Sequence, residues 1–285
     1  MIVITGATGT VGRETLKLLR DGGSRAVAVS RDPERATRGE SALPEGVRVV
    51  GGDPSDPKTL APVLDGAEAL LLSPRAVGSA GAELLGLAAE RGVRRVVVLS
   101  AVTVEYGGGY ARFAEGFRAV EDAAKASGLD WTLLRCADFS ANALAWIPQV
   151  RATGTVRGAY GGAATAAIHE RDIAAVAVRA LVEDGHAGQA YALTGPELVN
   201  QRKKLRLISE ALGEQLAWQE IAPEQVRQGM LAQGLPEDVP DRLLGYLAEC
   251  LQRPGPSTDT VEQLLGRPAL DFEQWAVDHA AAFRK

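Results

Sequence analysis

The chain has 285 residues, 46% of them hydrophobic, and a formal net charge of −5. That length suffices for one large α/β domain with an insertion, or for two smaller domains. The acidic balance argues against a nucleic-acid partner, and the distant cysteines Cys136 and Cys250 spell neither a disulfide framework nor a zinc knuckle.

The first element is the apolar run Met1 to Ile4, which reads as a buried parallel strand. It runs into Thr5-Gly6-Ala-Thr8-Gly9-Thr10-Val11-Gly12, and helical spacing follows from Arg13 to Leu19. A strand, a glycine turn and a helix start together form a phosphate site. Gly6 permits the sharp turn, Gly9 allows close approach of a pyrophosphate, and Gly12 lets the helix pack. The unpaired N–H groups of the first helical turn then point at the anion. The site is expected to use Gly6, Thr8, Gly9, Thr10, Val11 and Gly12.

Further strands are predicted at Ala26–Ser30, Val47–Val50, Ala67–Leu72, Val93–Ser100 and Trp131–Arg135. Helical patterns lie between them near Pro33–Arg38, Pro57–Leu64, Ala80–Arg91 and Phe113–Ser127. This alternation predicts a doubly wound parallel α/β sheet, the Rossmann architecture, over residues 1–138. The sheet region is expected to be completed by about residues 165–195, which include an amphipathic helix with Asp172 as its N-cap. Residues 139–164 and 196–285 are read as a substrate-binding insertion and a helical C-terminal region. Its helices are expected at Gln201–Leu212, Pro223–Gln233, Asp238–Leu251, Thr258–Leu265 and Phe272–Phe283. No stretch approaches the roughly 18 apolar residues that span a bilayer, and no basic segment precedes the first strand. The expectation is a cytoplasmic protein without membrane contact, acting as a monomer or homodimer.

The end of the second strand bears on the cofactor. A carboxylate there accepts hydrogen bonds from the ribose hydroxyls of NAD, whereas this chain carries Ser30-Arg31, with Arg35 one turn on. A guanidinium matches a 2′-phosphate instead, so NADP is expected, with NADPH preferred over NADH. Asp53, after the third strand, can accept from the adenine amino group or form an Asp-Pro turn. Leu72 ends the fourth strand and Ser73-Pro74 follows it, where the topology lines the cofactor cleft and where a serine-proline step is equally a turn.

These motifs resemble a known family. Thr5–Gly12, Gly52-Asp53, Val97–Ser100 and Trp131–Arg135, in that order, are similar to the atypical short-chain dehydrogenases/reductases. The NmrA-like branch, with its NADPH-dependent quinone reductases, is the nearest likeness. The resemblance covers roughly residues 1–210, and the later helices are similar to tails in actinobacterial members. It implies hydride transfer to a small molecule. Catalytic members of the wider family carry a Tyr-x-x-x-Lys pair, whose lysine lowers the tyrosine pKa for proton exchange. Here Tyr106 is followed four residues later by Tyr110, and Tyr110 by Ala114, so the pair is absent.

A quinone needs that relay less, because its hydroquinone anion is stabilised, and a polyaromatic ketone behaves similarly. Ser100, Tyr106 and Tyr110 are the substitute proton donors, each with a structural alternative, and His169 is a further one read as structural. Phe139, Asn142 and Trp146 either face the acceptor, because similar proteins pass this segment beside the nicotinamide, or pack within the insertion; Tyr160, further along the same aromatic insertion, is expected to line the same pocket. The leading reading is an NADPH-dependent reductase of a quinone or aromatic ketone. The competing reading is a non-catalytic NADP(H) sensor of the NmrA type.

Overall fold

The computed structural model describes residues 1–39, 42–106 and 111–284, and the side chains of 111–113 are outside that description. In chain order the first elements are β1 (Ile2–Ile4), α1 (Thr10–Asp21), β2 (Ala26–Ser30), α2 (Pro33–Ala36) and β3 (Arg48–Gly51). Then come α3 (Ala61–Leu64), β4 (Ala69–Leu72), α4 (Pro74–Val77), α5 (Gly81–Glu90), β5 (Arg95–Ala101), α6 (Ala111–Ala126) and β6 (Asp130–Cys136). The middle of the chain holds α7 (Ile147–Thr153), β7 (Thr155–Gly158), β8 (Ala164–Thr165), α8 (Glu170–Val182) and β9 (Gln189–Leu193). The remainder is β10 (Val199–Asn200), α9 (Gln201–Leu212), β11 (Ala217–Glu220), α10 (Pro223–Ala232), α11 (Asp238–Gln252), α12 (Thr260–Leu265) and α13 (Phe272–Phe283).

Two compact units share these elements. The first comprises Met1–Val104, Ala114–Cys136 and Glu170–Leu193. It contains a seven-stranded sheet in the order β3-β2-β1-β4-β5-β6-β9, every pair parallel. β1 and β4 are buried along their whole length, as short apolar runs covered on both faces must be. One face sends Val3, Leu70, Leu72, Val96, Val98 and Leu133 into a core with Leu60, Leu64, Leu84 and Leu85. The alternate residues Ile4, Leu71, Val97 and Leu134 are equally buried, on the face where α8 packs against β4, β5 and β6 and also against α1. Fully burying each such side chain contributes roughly 1.5–3 kcal/mol. The chain moves outward from β1 to β3 and then returns to place β4 on the other side of β1. The carboxyl ends of β1 and β4 therefore flank the topological switch point, where open α/β sheets bind ligands.

The second unit comprises Glu105–Phe113, Ala137–His169 and Thr194–Lys285. Phe272, Trp275 and Phe283 on α13 pack with Leu205 and Ile208 on α9 and with Val150 and Val156. β7 and β11 pair in parallel, Thr155 opposite Ala217, and β8 and β10 pair antiparallel. None of these four strands is signalled in the sequence, because each is two to four residues long and its partner lies far along the chain. α9 and α13 have the predicted bounds. One expectation is corrected: α8 starts at Glu170, so Asp172 lies inside the first turn, fully buried, and is not the N-cap. An acidic residue there still meets the positive end of the helix dipole. Neither cysteine forms a disulfide, and burial pushes the Cys136 thiol pKa far up.

Candidate cofactor and acceptor sites

The glycine turn is built by sterics. Gly6 sits at φ 63°, and a Cβ there would lie 2.7 Å from the Ser73 Cβ, so the β1 and β4 ends meet through a glycine. A Cβ on Gly12 would land on the Gly6 carbonyl oxygen and 2.8 Å from the Ala7 Cα. The Gly9 N–H donates to the Gly6 carbonyl at 3.0 Å and closes the turn. Thr5 locks the base: its buried hydroxyl donates to the Leu71 carbonyl at 2.9 Å and accepts from the Ser73 N–H at 2.9 Å. Leu72 is wholly buried beneath, and Ser73 is half-buried at the rim.

α1 starts at Thr10, has Gly9 as N-cap with no side-chain cap, and carries no acid in its first turn. Its first N–H groups, from Thr10, Val11 and Gly12, have no intrahelical partner by construction, and the dipole adds positive potential. Thr8 and Gly9 are exposed beside them. Arg13 follows the third glycine, with Nε donating to the Thr8 carbonyl at 2.9 Å and Nη1 to the Ala42 carbonyl at 2.8 Å. Burial lowers its pKa. Sequence reasoning passed over Arg13, although a cation near a helix N-terminus runs against the dipole and calls for an anion. A turn with no room for a side chain at Gly6 or Gly12, an uncapped helix start and a guanidinium held by two carbonyls together fit a dinucleotide.

At the β2 end, Ser30 Oγ accepts from the Asp32 N–H at 3.1 Å and donates to the Asp32 carbonyl at 3.0 Å. Asp32 caps α2, its carboxylate accepting from the Arg35 N–H at 3.0 Å. Arg31 and Arg35 are exposed. Asp53 Oδ1 accepts from the Ser55 hydroxyl at 2.7 Å and the Ser55 N–H at 3.0 Å. Those two bonds, with the Arg31 charge adding, hold the Asp53 carboxyl below its usual pKa. Asp53 thus forms a local turn and stays ionised beside Arg31.

Ser100 is buried at the end of β5, and its hydroxyl donates to Glu121 Oε1 at 2.7 Å. Glu121, on α6, is itself fully buried. Arg135 grips it from β6, Nε to Oε1 at 3.0 Å and Nη2 to Oε2 at 2.8 Å, and Lys125 Nζ stands 3.5 Å from Oε2. Burial raises the Glu121 pKa, but the bonds from Arg135 and Ser100 and the charges of Arg135 and Lys125 together hold it below the ordinary carboxylate range. The Ser100 hydrogen is therefore directed at a carboxylate, and its oxygen lone pairs are left to accept.

The residues predicted to face the acceptor lie in the second unit. Phe139 forms a parallel bridge with Ile168. Asn142 is exposed but its amide donates to Asp138 Oδ1 at 2.7 Å, and Trp146 meets Trp218 edge-on at 5.9 Å between centroids. Asp138 is the hub: Lys204 Nζ lies 2.6 Å from its Oδ2, and the Thr165 hydroxyl donates to the same oxygen at 2.9 Å. Burial raises the Asp138 pKa, and the Lys204 charge leads the effects that outweigh it and bring it down. Lys204 also lies 5.7 Å from the Phe272 ring centroid. Sequence reasoning missed this pair, because Lys204 stands in Gln201-Arg-Lys-Lys204, which reads as a solvated helix face. His169 is fully buried, with Nε2 3.4 Å from Asp278 Oδ2. Tyr106 and Tyr160 are brought together against Ala163 and Cys250, where Tyr246 of α11 joins them. Tyr110 lies outside the described residues.

The sequence model of a family described as NAD(P)H-binding matches residues 6–184, from the glycine turn to the end of α8. The chain belongs to that family. Over 99% of both chains it is 38% identical to the (4-alkanoyl-5-oxo-2,5-dihydrofuran-3-yl)methyl phosphate reductase of Streptomyces griseus. Over 99% of both it is 32% identical to the NAD(P)H azoreductase of Xenophilus azovorans. Among solved structures, the NADPH-dependent quinone oxidoreductase of Escherichia coli complexed with NADPH superposes with a TM-score of 0.79 at 27% identity, covering 98% of this chain and 99% of that one. This reductase is thus an atypical short-chain dehydrogenase/reductase of the NmrA-like, quinone-reductase-like branch, with a Rossmann fold and an NAD(P)H-dependent activity. Among its described residues, no helix is long and apolar enough to cross a membrane.

Proposed function

We propose that this reductase uses NADPH to reduce an electron-poor conjugated small molecule, a quinone or aromatic ketone, without a tyrosine-lysine proton relay. The observation that carries the reading is the Ser100–Glu121 hydrogen bond at 2.7 Å. A serine whose hydrogen goes to an ionised carboxylate is an acceptor, suited to orient a donor group such as a carboxamide N–H or a ribose hydroxyl. It is not a proton source. With no Tyr-x-x-x-Lys anywhere in the 285 residues, the reaction suits acceptors whose product anion is delocalised.

The relatives' names support the same chemistry. A quinone, an azo compound and a furanone bearing an alkanoyl group on its ring double bond are all conjugated acceptors that spread incoming charge. When bound, NADPH supplies hydride from the nicotinamide ring. The chain's part is to bind and orient: the N–H groups of Thr10, Val11 and Gly12 and the side chain of Arg13 hold phosphate, and Arg31 with Arg35 meets the 2′-phosphate. Asp32, the nearby carboxylate, is engaged in capping α2, which supports NADPH over NADH.

The test is loss of nicotinamide absorbance with NADPH, then NADH, across quinones, polycyclic ketones and conjugated lactones. Turnover with quinones, faster with NADPH, is the expected result. Oxidation of neither nucleotide by any quinone or aromatic ketone contradicts the proposal.

A further inference from the structure

Tyr160 has φ 58°, the only non-glycine residue in the left-handed region among the described residues. For a bulky side chain this is an outlier. Such conformations persist only where the surroundings over-determine them, and they concentrate at ligand-binding positions.

The turn around Tyr160 is held on every side. Its carbonyl accepts from the Ala163 N–H at 2.8 Å. The Gly161 N–H reaches both oxygens of Glu220 at 3.2 Å, and the Gly161 carbonyl accepts from the Arg202 N–H at 3.2 Å. Glu220 is fixed in turn by Trp218 Nε1 and Arg202 Nη2, each at 2.8 Å. A Cβ on Gly161 would lie 2.7 Å from both Glu220 Oε2 and Trp218 Nε1, so glycine is required there for space. Two glycines, Gly161 and Gly162, follow Tyr160 directly, yet the strained position keeps an aromatic residue.

The ring is half-buried and packs against Ala163 and Cys250, together with Tyr106 and with Tyr246 from α11. Ala163 and Cys250 are small, so three phenols cover little core and keep part of their surface open. Phenol faces are electron-rich, whereas quinone and similar rings are electron-poor, and offset stacking of such faces is favourable.

We propose that Tyr160 is the acceptor-positioning residue of this reductase, aimed by its fixed turn to form, with Tyr106 and Tyr246, an aromatic wall that takes a planar conjugated ring. This rests on the reading of the acceptor as an electron-poor conjugated molecule and adds the residues that recognise it. Tyr246 extends the acceptor site to a helix near the end of the chain.

The experiment is calorimetric titration of the full chain, saturated with NADP⁺, with a naphthoquinone and with the non-aromatic control cyclohexanedione. Oxidised cofactor allows no turnover, so binding is read by itself. The wild type is expected to bind the naphthoquinone and not the control. Tyr160→Ala should weaken that binding about tenfold, Tyr246→Ala roughly fivefold, and Tyr160→Phe less than about threefold, because the ring remains. NADP⁺ affinity should be unchanged throughout. Tyr160→Asn should melt above Tyr160→Ala, since asparagine accommodates the left-handed backbone.

No naphthoquinone binding by the wild type, equal binding by Tyr160→Ala, or equal melting of the Asn and Ala variants would each overturn the proposal. Wild-type binding without turnover in the NADPH assay would sink the reductase reading and leave the wall standing. Turnover of lactones alone, with no quinone binding, would sink the wall and leave NADPH-dependent reduction standing.

Discussion

The two units reach order by different means. In the first, order comes from one continuous sheet of seven parallel strands whose central members are buried on both faces, with a largely buried polar cluster of Ser100, Glu121 and Arg135 set beside it. In the second, short strands and helices are tied by polar hubs drawn from distant segments, Asp138 with Lys204 and Glu220 with Gly161 and Arg202. A sheet of the first kind places its ligand site by topology, so the site survives changes in individual contacts. A unit of the second kind places its residues by specific ion pairs and is exposed to the loss of one of them.

The largest effect should come from Lys204→Met, which leaves the Asp138 carboxylate buried beside Thr165 without its cation. A loss of about 3–5 kcal/mol in unfolding free energy is expected by denaturant titration, because one orphaned charge remains. The double variant Lys204→Met/Asp138→Leu should recover much of it. If Lys204→Met costs nothing, the second unit does not depend on its hubs, and the contrast with the first fails.

Next in size, Gly12→Val in the first unit should weaken NADPH binding about a hundredfold, roughly 3 kcal/mol, since the added atoms strike the Gly6 carbonyl and Ala7. Fluorescence titration of NADPH reads this directly. Smaller again, Arg31→Ala should cost about 1.5 kcal/mol in NADPH affinity, roughly tenfold, with NADH little changed. An equal loss for both nucleotides would remove the 2′-phosphate role.

Acid sharpens the same contrast. Asp138 and Glu121 both have folded pKa values below the ordinary range. For a lowered carboxylate, the stabilisation is fully present above the unfolded pKa, about 4, and is lost as pH falls through the folded value. Melting temperature should therefore be flat above about pH 5 and fall below about pH 4. In Lys204→Met the Asp138 contribution to that acid dependence should vanish or reverse. Unaltered acid dependence in this variant would show that the pair does not hold Asp138 ionised.

What was legible in the sequence follows the same division. β1, the glycine turn and α1 were readable because an apolar run, fixed glycine spacing and helical periodicity are all local. α9 and α13 were readable to the residue, since Asn200 and Asp271 cap them with side chains that accept from Lys203 and Gln274. β7 and β11 were not, because Thr155–Gly158 finds its partner some sixty residues on, at Ala217–Glu220. Ser100 was visible as a strand-end serine, but the direction of its hydrogen depends on Glu121 and Arg135, from two other elements. Buried cations such as Lys204 carry no local mark at all. Tyr246 was invisible for the same reason: on α11 it is one apolar residue among several, and only the fold brings it to Tyr106 and Tyr160.

The central claim is that hydride reaches a conjugated acceptor without a side-chain proton donor, Ser100 serving only to accept and orient. The most direct measurement is kcat for NADPH oxidation by a quinone in the wild type and in Ser100→Ala. Turnover is expected in both, with kcat for Ser100→Ala within about tenfold of the wild type. A fall of roughly a thousandfold, within the range for losing a general acid, would contradict it.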